Sequence, residues 1–149
     1  MIVVFSGTTE GRRLSSRLAA EGAAVTVCVA TGYGAAEQGA APGLTVHTGR
    51  MEAGEMAALL AGAALCVDAT HPYARQASEN IRAACRQAGV PCLRLLRPAS
   101  PLPPGALAAP DAPAAARLLE GTAGGILLAS GPKELPAVAG LGGARRYPR

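Results

Sequence analysis

The chain has no tryptophan and a single phenylalanine, Phe5, and aromatics make up only 3% of its 149 residues. An interior built on stacked rings is therefore excluded, and any core must be aliphatic and rich in alanine. Lysine is almost missing too: Lys133 stands alone among 14 basic residues. The arginines are scattered and no aromatics are interleaved with them. This pattern argues against a nucleic-acid surface despite the net charge of +4. No apolar stretch reaches the length needed to span a bilayer, so no membrane segment is expected. No basic region precedes Met1 to Phe5, so the N-terminus does not read as a signal peptide and the cytoplasm is the expected location. The four cysteines, Cys28, Cys66, Cys85 and Cys92, contain no C-x-x-C pair. Cys28, Cys66 and Cys92 lie in apolar runs, where a thiol packs as a small hydrophobe.

What is present suits a folded domain. The chain is 50% hydrophobic and 16% charged, which favours a buried core over disorder. Its length allows one domain, or one domain and a piece of another.

Strand and helix patterns alternate. Ile2 to Phe5 reads as a first strand, followed by the turn Ser6-Gly7-Thr8-Thr9-Glu10-Gly11 and a helix over 12–21. Such a turn exposes N–H groups at a helix start, where a phosphate can sit; a plain strand-to-helix turn is the other reading. Val25 to Ala30 is a second strand. It ends in Thr31-Gly32-Tyr33-Gly34, with no carboxylate for a ribose 2′-hydroxyl, which leans toward NADP; a flexible glycine loop is the alternative. Leu44 to His47 is a third strand and 51–61 a helix. Arg50, between them, reads either as an anion contact or as a surface arginine. The run Ala63 to Val67 is a fourth strand. It breaks into Asp68, Thr70, His71 and Tyr73 before a helix over 72–88 with Arg75 on its wet face. A dense polar cluster at a strand end is how open α/β sheets build sites. Cys92 to Leu95 is a fifth strand, in which Arg94 either faces solvent or reaches toward a site, and Arg97 follows.

The fold expected from this order is α/β, an open parallel sheet of order 3-2-1-4-5. A proline-rich segment follows, then a helix over 112–119. Gly125 to Leu135 repeats the strand, glycine turn and helix logic. Lone strand-helix units bury too little to stand alone. Either this strand joins the first sheet or it opens a second domain. The expected division is 1–98 as the N-terminal domain, 99–124 as linker and short helix, and 125–149 as the start of a truncated second α/β domain.

The motifs Gly7-Thr8-Thr9-Glu10-Gly11, Val29-Ala30-Thr31-Gly32-Tyr33-Gly34, Val46-His47-Thr48-Gly49-Arg50, Asp68-Ala69-Thr70-His71-Pro72-Tyr73-Ala74, Arg94-Leu95-Leu96-Arg97-Pro98 and Ser130-Gly131-Pro132-Lys133-Glu134-Leu135 resemble the precorrin-6A reductase family of cobalamin biosynthesis, especially its cobalt-precorrin-6A branch. The resemblance implies two Rossmann-like halves and NADPH-dependent reduction of a ring double bond, converting (cobalt-)precorrin-6A to (cobalt-)precorrin-6B. By position it implies cofactor contacts at Gly7, Thr8, Thr9, Glu10, Gly11, Thr31, Tyr33 and Lys133. Gly32 stands where many relatives carry a polar residue. Family members also run on for roughly another hundred residues, the scale of a further domain.

Reduction of a double bond needs hydride from the cofactor and a proton from a donor; by type and place His71 and Tyr73 are candidates, as is a bound water, and a hydrogen-bonded structural histidine is the other reading of His71. The substrate carries acetate and propionate arms, and arginine binds carboxylates through both oxygens. Arg50, Arg75, Arg94 and Arg97 are the candidate partners, with Asp68 and Thr70 facing the cleft. A metal site from His47, His71, Cys66 and Asp68 matches no compact ligand spacing, so none is expected. The rival reading is a non-catalytic nucleotide-binding module or an inactive fragment. A homo-oligomer or a missing C-terminal half would then complete the cleft.

Overall fold

The structure, a computed structural model, describes every residue except Ala99, Pro132, Gly142, Gly143 and Arg149, and describes Ala144, Arg145, Arg146 and Pro148 by backbone alone. It separates into two compact units, Met1–Ala99 and Ser100–Arg149.

In the first unit β1 (Ile2–Ser6), β2 (Val25–Val29), β3 (Leu44–Thr48), β4 (Leu65–Ala69) and β5 (Cys92–Arg94) form one parallel sheet in the order β3-β2-β1-β4-β5. Helices α1 (Thr9–Ala20), α2 (Gly32–Gln38), α3 (Ala53–Leu60) and α4 (Arg75–Ala88) connect the strands. This is a Rossmann-like arrangement. The central strands are buried on both faces, and all five residues of β2 are buried. Both faces must therefore be apolar, which is why β1 and β2 read as continuous β-branched runs rather than alternating ones.

Two cores follow from the pleat. Val3, Phe5 and Cys66 point to the α3 and α4 side, where they meet Met56, Leu60, Ile81 and Cys85. Val4, Val25, Val27 and Val67 point the other way, onto Ala19 with Leu14 and Leu18 of α1 and Ala35 of α2. Phe5 is the single aromatic among these core residues, as the composition requires.

The helix starts differ from the sequence expectation. Helix α1 begins at Thr9 because the Thr8 hydroxyl caps it, accepting from the Gly11 N–H. Thr31 does the same for α2, so Thr31 to Gly34 is a capped helix start and not a flexible loop. Helix α4 begins at Arg75 rather than Pro72; the preceding residues form a turn closed by the Ala74 N–H on the His71 carbonyl.

In the second unit α5 (Ala112–Leu119) is capped by Asp111, and β6 (Gly124–Leu128) leads to the short α6 (Leu135–Val138). The expectation of one strand and one helix needs correcting. A second strand, β7 (Ala144–Pro148), pairs with β6 in parallel, so β6 belongs to its own two-stranded sheet and not to the first. Ala116, Ile126, Val138 and Leu141 form its small core.

Candidate functional site

The sheet order reverses between β1 and β4, which leave their shared position for opposite sides. Open α/β sheets bind ligands at the carboxyl ends of the strands there. The two turns that the sequence singles out meet at this point. A Cβ on Gly7 would lie 3.8 Å from both the His71 backbone nitrogen and the Thr70 Cα. The Thr8 hydroxyl ties them together, donating to the Ala69 carbonyl at 3.0 Å while it caps α1.

Gly11 has a packing role. A Cβ there would come within 2.7 Å of Ser6 Oγ and 2.8 Å of Ala69 Cβ, so only glycine lets α1 lie this close to the sheet. Glu10 points elsewhere, to Arg97 at 3.2 Å. Its carboxyl is held below the ordinary value chiefly by a backbone hydrogen bond at Glu10 and further by Arg97.

A cavity of about 400 Å³ opens between the starts of α1 and α2. Of the residues that the family resemblance names as cofactor contacts, Gly7, Thr8, Thr9, Thr31 and Tyr33 line it, and Glu10, Gly11 and Lys133 do not. In the first turn of α1 the Gly11 N–H is taken by the Thr8 hydroxyl, while the Thr9 and Glu10 N–H groups have no carbonyl partner within the helix, where the dipole favours an anion. Three further lining residues carried no sequence signal: Arg12, Glu37 and Gln38. Arg12 and Glu37 form an ion pair between α1 and α2. Gln38 is only 8% exposed, and its Oε1 has no hydrogen-bond partner among the described residues. A buried acceptor left unpaired is costly, by about 1–3 kcal/mol, and a ligand donor would satisfy it.

At the end of β4 lies a second network. Asp68 is 2% exposed and forms an ion pair with Arg94 of β5, its register partner. Asp68 Oδ1 also accepts from the Thr70 N–H at 3.1 Å and the Thr70 hydroxyl at 2.7 Å. Arg94 donates to Thr70 Oγ1 at 2.8 Å, and Ser78 of α4 completes the group at 3.2 Å from the same oxygen. Arg94 thus resolves its ambiguity: it is committed to Asp68 and Thr70 and fixes the loop that carries His71.

His71 and Tyr73 are exposed. His71 Nδ1 accepts from the Tyr73 N–H at 3.2 Å, and the two rings meet edge to face with centroids 5.0 Å apart. In the neutral imidazole the proton then sits on Nε2, which leaves an outward N–H donor.

A further cavity of about 390 Å³ shares Ser6, Val29 and Ala30 with the first and extends past Arg50 to Thr70 and Ala74. Arg75 and Arg94 line a third, of about 900 Å³, along α4 and β5. Lys133 lies in the second unit, exposed, in the turn before α6; Pro132 of its motif is outside the described residues.

The cysteines do not simply disperse into the core. Cys66, Cys85 and Cys92 bring their sulfurs within 4.8 Å of one another. Burial, and then the neighbouring Cys85 and Cys92, push the Cys66 thiol far above the ordinary value. Burial likewise raises Cys92 to about 11. Such thiols stay protonated at neutral pH and are poor nucleophiles.

A family model described as precorrin-6x reductase CbiJ/CobK matches residues 1–148. Cobalt-precorrin-6A reductase of Salmonella typhimurium is 40% identical over 99 residues, which is 65% of this chain and 37% of that protein. The protein of the same name in Methanothermobacter thermautotrophicus is 37% identical over 102 residues, 65% of this chain and 33% of its own. A solved structure of CobK precorrin-6A reductase superposes with a TM-score of 0.78 at 29% identity, covering 99% of this chain and 60% of that one. The chain thus spans less than two thirds of the length of each of these relatives.

Proposed function

Because the chain belongs to the precorrin-6x reductase CbiJ/CobK family, we propose that it forms the nucleotide-binding part of a cytoplasmic reductase that uses NADPH to reduce a ring carbon–carbon double bond of precorrin-6A or cobalt-precorrin-6A. The observation that carries this reading is the cavity between the starts of α1 and α2, lined by Thr9, Thr31 and Arg12 and by Gln38, whose carbonyl has no hydrogen-bond partner among the described residues. Those donors and acceptors fit a dinucleotide. The first turn of α1 and the Thr9 hydroxyl suit the pyrophosphate. Arg12 is the cation within reach for a 2′-phosphate, once Glu37 releases it. Gln38 accepts from a hydroxyl or an amino group of the adenosine half.

When bound, NADPH supplies the hydride. The remaining work falls to the chain's own residues. Thr70, held by Asp68, Arg94 and Ser78, fixes the loop at the strand end. His71 holds a proton on Nε2, suited to delivery at the carbon next to the one reduced. Arg50 and Arg75, both exposed and without an ion-pair partner among the described residues, suit the substrate's carboxylate arms. Among the described residues no helix is long and apolar enough to cross a membrane.

The test is a titration of the chain with NADPH at low salt, with NADH as control. Selective saturable binding of NADPH that weakens in Arg12→Ala supports the reading. A folded chain that binds neither nucleotide, or prefers NADH, overturns it. Binding without turnover on addition of substrate would favour a nucleotide-binding module instead.

A further inference from the structure

Three thiols meet on the side of the sheet away from the nucleotide cavity. Cys66 and Cys92 are register partners on β4 and β5, so both side chains leave the sheet on the same face. Helix α4 covers that face and brings Cys85 down onto them. Cys66 is 0% exposed and Cys85 3%, while Cys92, on the outer strand, reaches solvent. All three sulfurs lie within 4.8 Å of one another. The cavity of about 900 Å³ along α4 is lined by Cys85 and Cys92 together with Arg82, Arg86 and Arg94.

We propose that Cys66, Cys85 and Cys92 form a binding site for one soft d10 cation of the zinc class, with its fourth position open to the cavity beside α4.

The geometry is close to what such an ion needs. Zinc–sulfur bonds of about 2.3 Å place tetrahedral ligands about 3.8 Å apart. The sulfurs must therefore close by about 1 Å at most, within reach of small side-chain rotations. The ligand set is all sulfur, with no imidazole or carboxylate in the cluster, which selects against magnesium, calcium and manganese. Access is through Cys92 and the cavity. The charge also balances reasonably. On binding one divalent ion three thiols lose three protons to solvent and leave one net negative charge, and the adjoining space is lined by Arg75, Arg82, Arg86 and Arg94 against Asp68 and Glu79. The ligands come from β4, α4 and β5, so an ion there would pin the outer strand to the helix that covers it. Sequence spacing could not reveal this, because the three positions are brought together by strand register and not by a local motif.

The experiment uses the purified chain, reduced and stripped of metal, titrated with Cd²⁺ while thiolate-to-metal absorption is followed in the ultraviolet. The expected result is a break at one ion per chain, reversal by Zn²⁺ and no effect of Mg²⁺. Cys92→Ser, a change at the surface strand, should weaken binding at least 10-fold. His47→Ala, which removes an exposed imidazole outside the cluster, should leave it intact. As a second reading, Cd²⁺ should raise the melting temperature of the parent chain and not that of Cys92→Ser. No absorption with a reduced, folded chain overturns the proposal. So does a signal that survives in both Cys92→Ser and Cys85→Ala, or one that saturates at one ion per two chains. The site is separate from the nucleotide cavity, so either proposal can fail alone.

Discussion

Asp68 and Arg94 face each other across β4 and β5 as register partners, and the guanidinium pairs with a carboxylate that is only 2% exposed. Removing one partner of a buried pair strands the other charge, at a cost of about 3–5 kcal/mol. Arg94→Ala should therefore lower stability by about 3 kcal/mol in urea unfolding. Arg94→Lys should recover part of this, since a lysine supplies the charge without the planar fork. Adding Asp68→Asn to Arg94→Ala should restore stability relative to Arg94→Ala alone. A loss below about 1 kcal/mol in Arg94→Ala would mean that Asp68 is solvated.

Gly11→Ala should destabilise the chain by about 1–3 kcal/mol, although alanine is the better helix former. The added Cβ meets Ser6 and Ala69 at under 3 Å, and α1 must move off the sheet. Nucleotide binding should weaken with it, because the Thr8 cap moves too. Gly32→Ala is the contrast: its Cβ meets nothing within 4 Å, and it should gain about 0.5 kcal/mol. Thermal melts of both variants check this.

The Arg12–Glu37 pair at the cavity between the starts of α1 and α2 sets a competition between Glu37 and any anion that enters. Glu37→Gln should release Arg12 and raise the preference for NADPH over NADH by about 3- to 10-fold, on the scale of an exposed charge contact. Parallel titrations with the two nucleotides measure the ratio. An unchanged ratio removes Arg12 as the 2′-phosphate partner.

Burial pushes the Cys28 thiol up to about 12, so the folded state favours the protonated form. The stability this contributes is complete below the thiol value of the unfolded chain, near pH 8.5. It is lost as pH rises from there toward about 12, at up to about 1.4 kcal/mol per pH unit. Cys28→Ala should show a shallower fall in stability between about pH 9 and about pH 11 than the parent chain, whatever its starting value. Equal slopes would show that Cys28 ionises freely in the fold.

In the proposed reaction His71→Gln should reduce kcat by about 100-fold while the nucleotide Kd stays put, if the Nε2 proton reaches substrate. Normal turnover would leave His71 as a brace for the Tyr73 backbone.

The sheet order and the location of the turns were legible in the residues because they depend on local pattern: β-branched runs for the strands and glycine-threonine turns at their ends. Thr8 and Thr31 announced the right places, though not their capping roles, since a cap is recognised by what its hydroxyl reaches. Gly11 was legible as a special glycine, but not as one aimed at Ser6 and Ala69. The features that stayed hidden are those created by register and by packing between distant elements. Arg94 looked ambiguous until β5 aligned it with Asp68. Gln38 looked like an ordinary polar residue until α2 folded it inward. Cys66, Cys85 and Cys92 show nothing until a helix is laid over two strands. The proline-rich stretch marked a change of unit, yet the pairing of β7 with β6 left no trace, because a short glycine- and arginine-rich tail carries little strand signature.

The placement of β1 has a consequence for how the chain is made. Of the five strands in its sheet it is synthesised before the others, yet it ends as the centre of the sheet, between β2 and β4. Its β2 side can zip as soon as Val29 emerges, but its other side has no partner until Leu65 to Ala69 are synthesised. During that interval the nascent chain displays an unpaired apolar strand edge. Parallel pairing across long separations is slow, so this is when a holding chaperone has most to offer and a crowded polysome most to spoil.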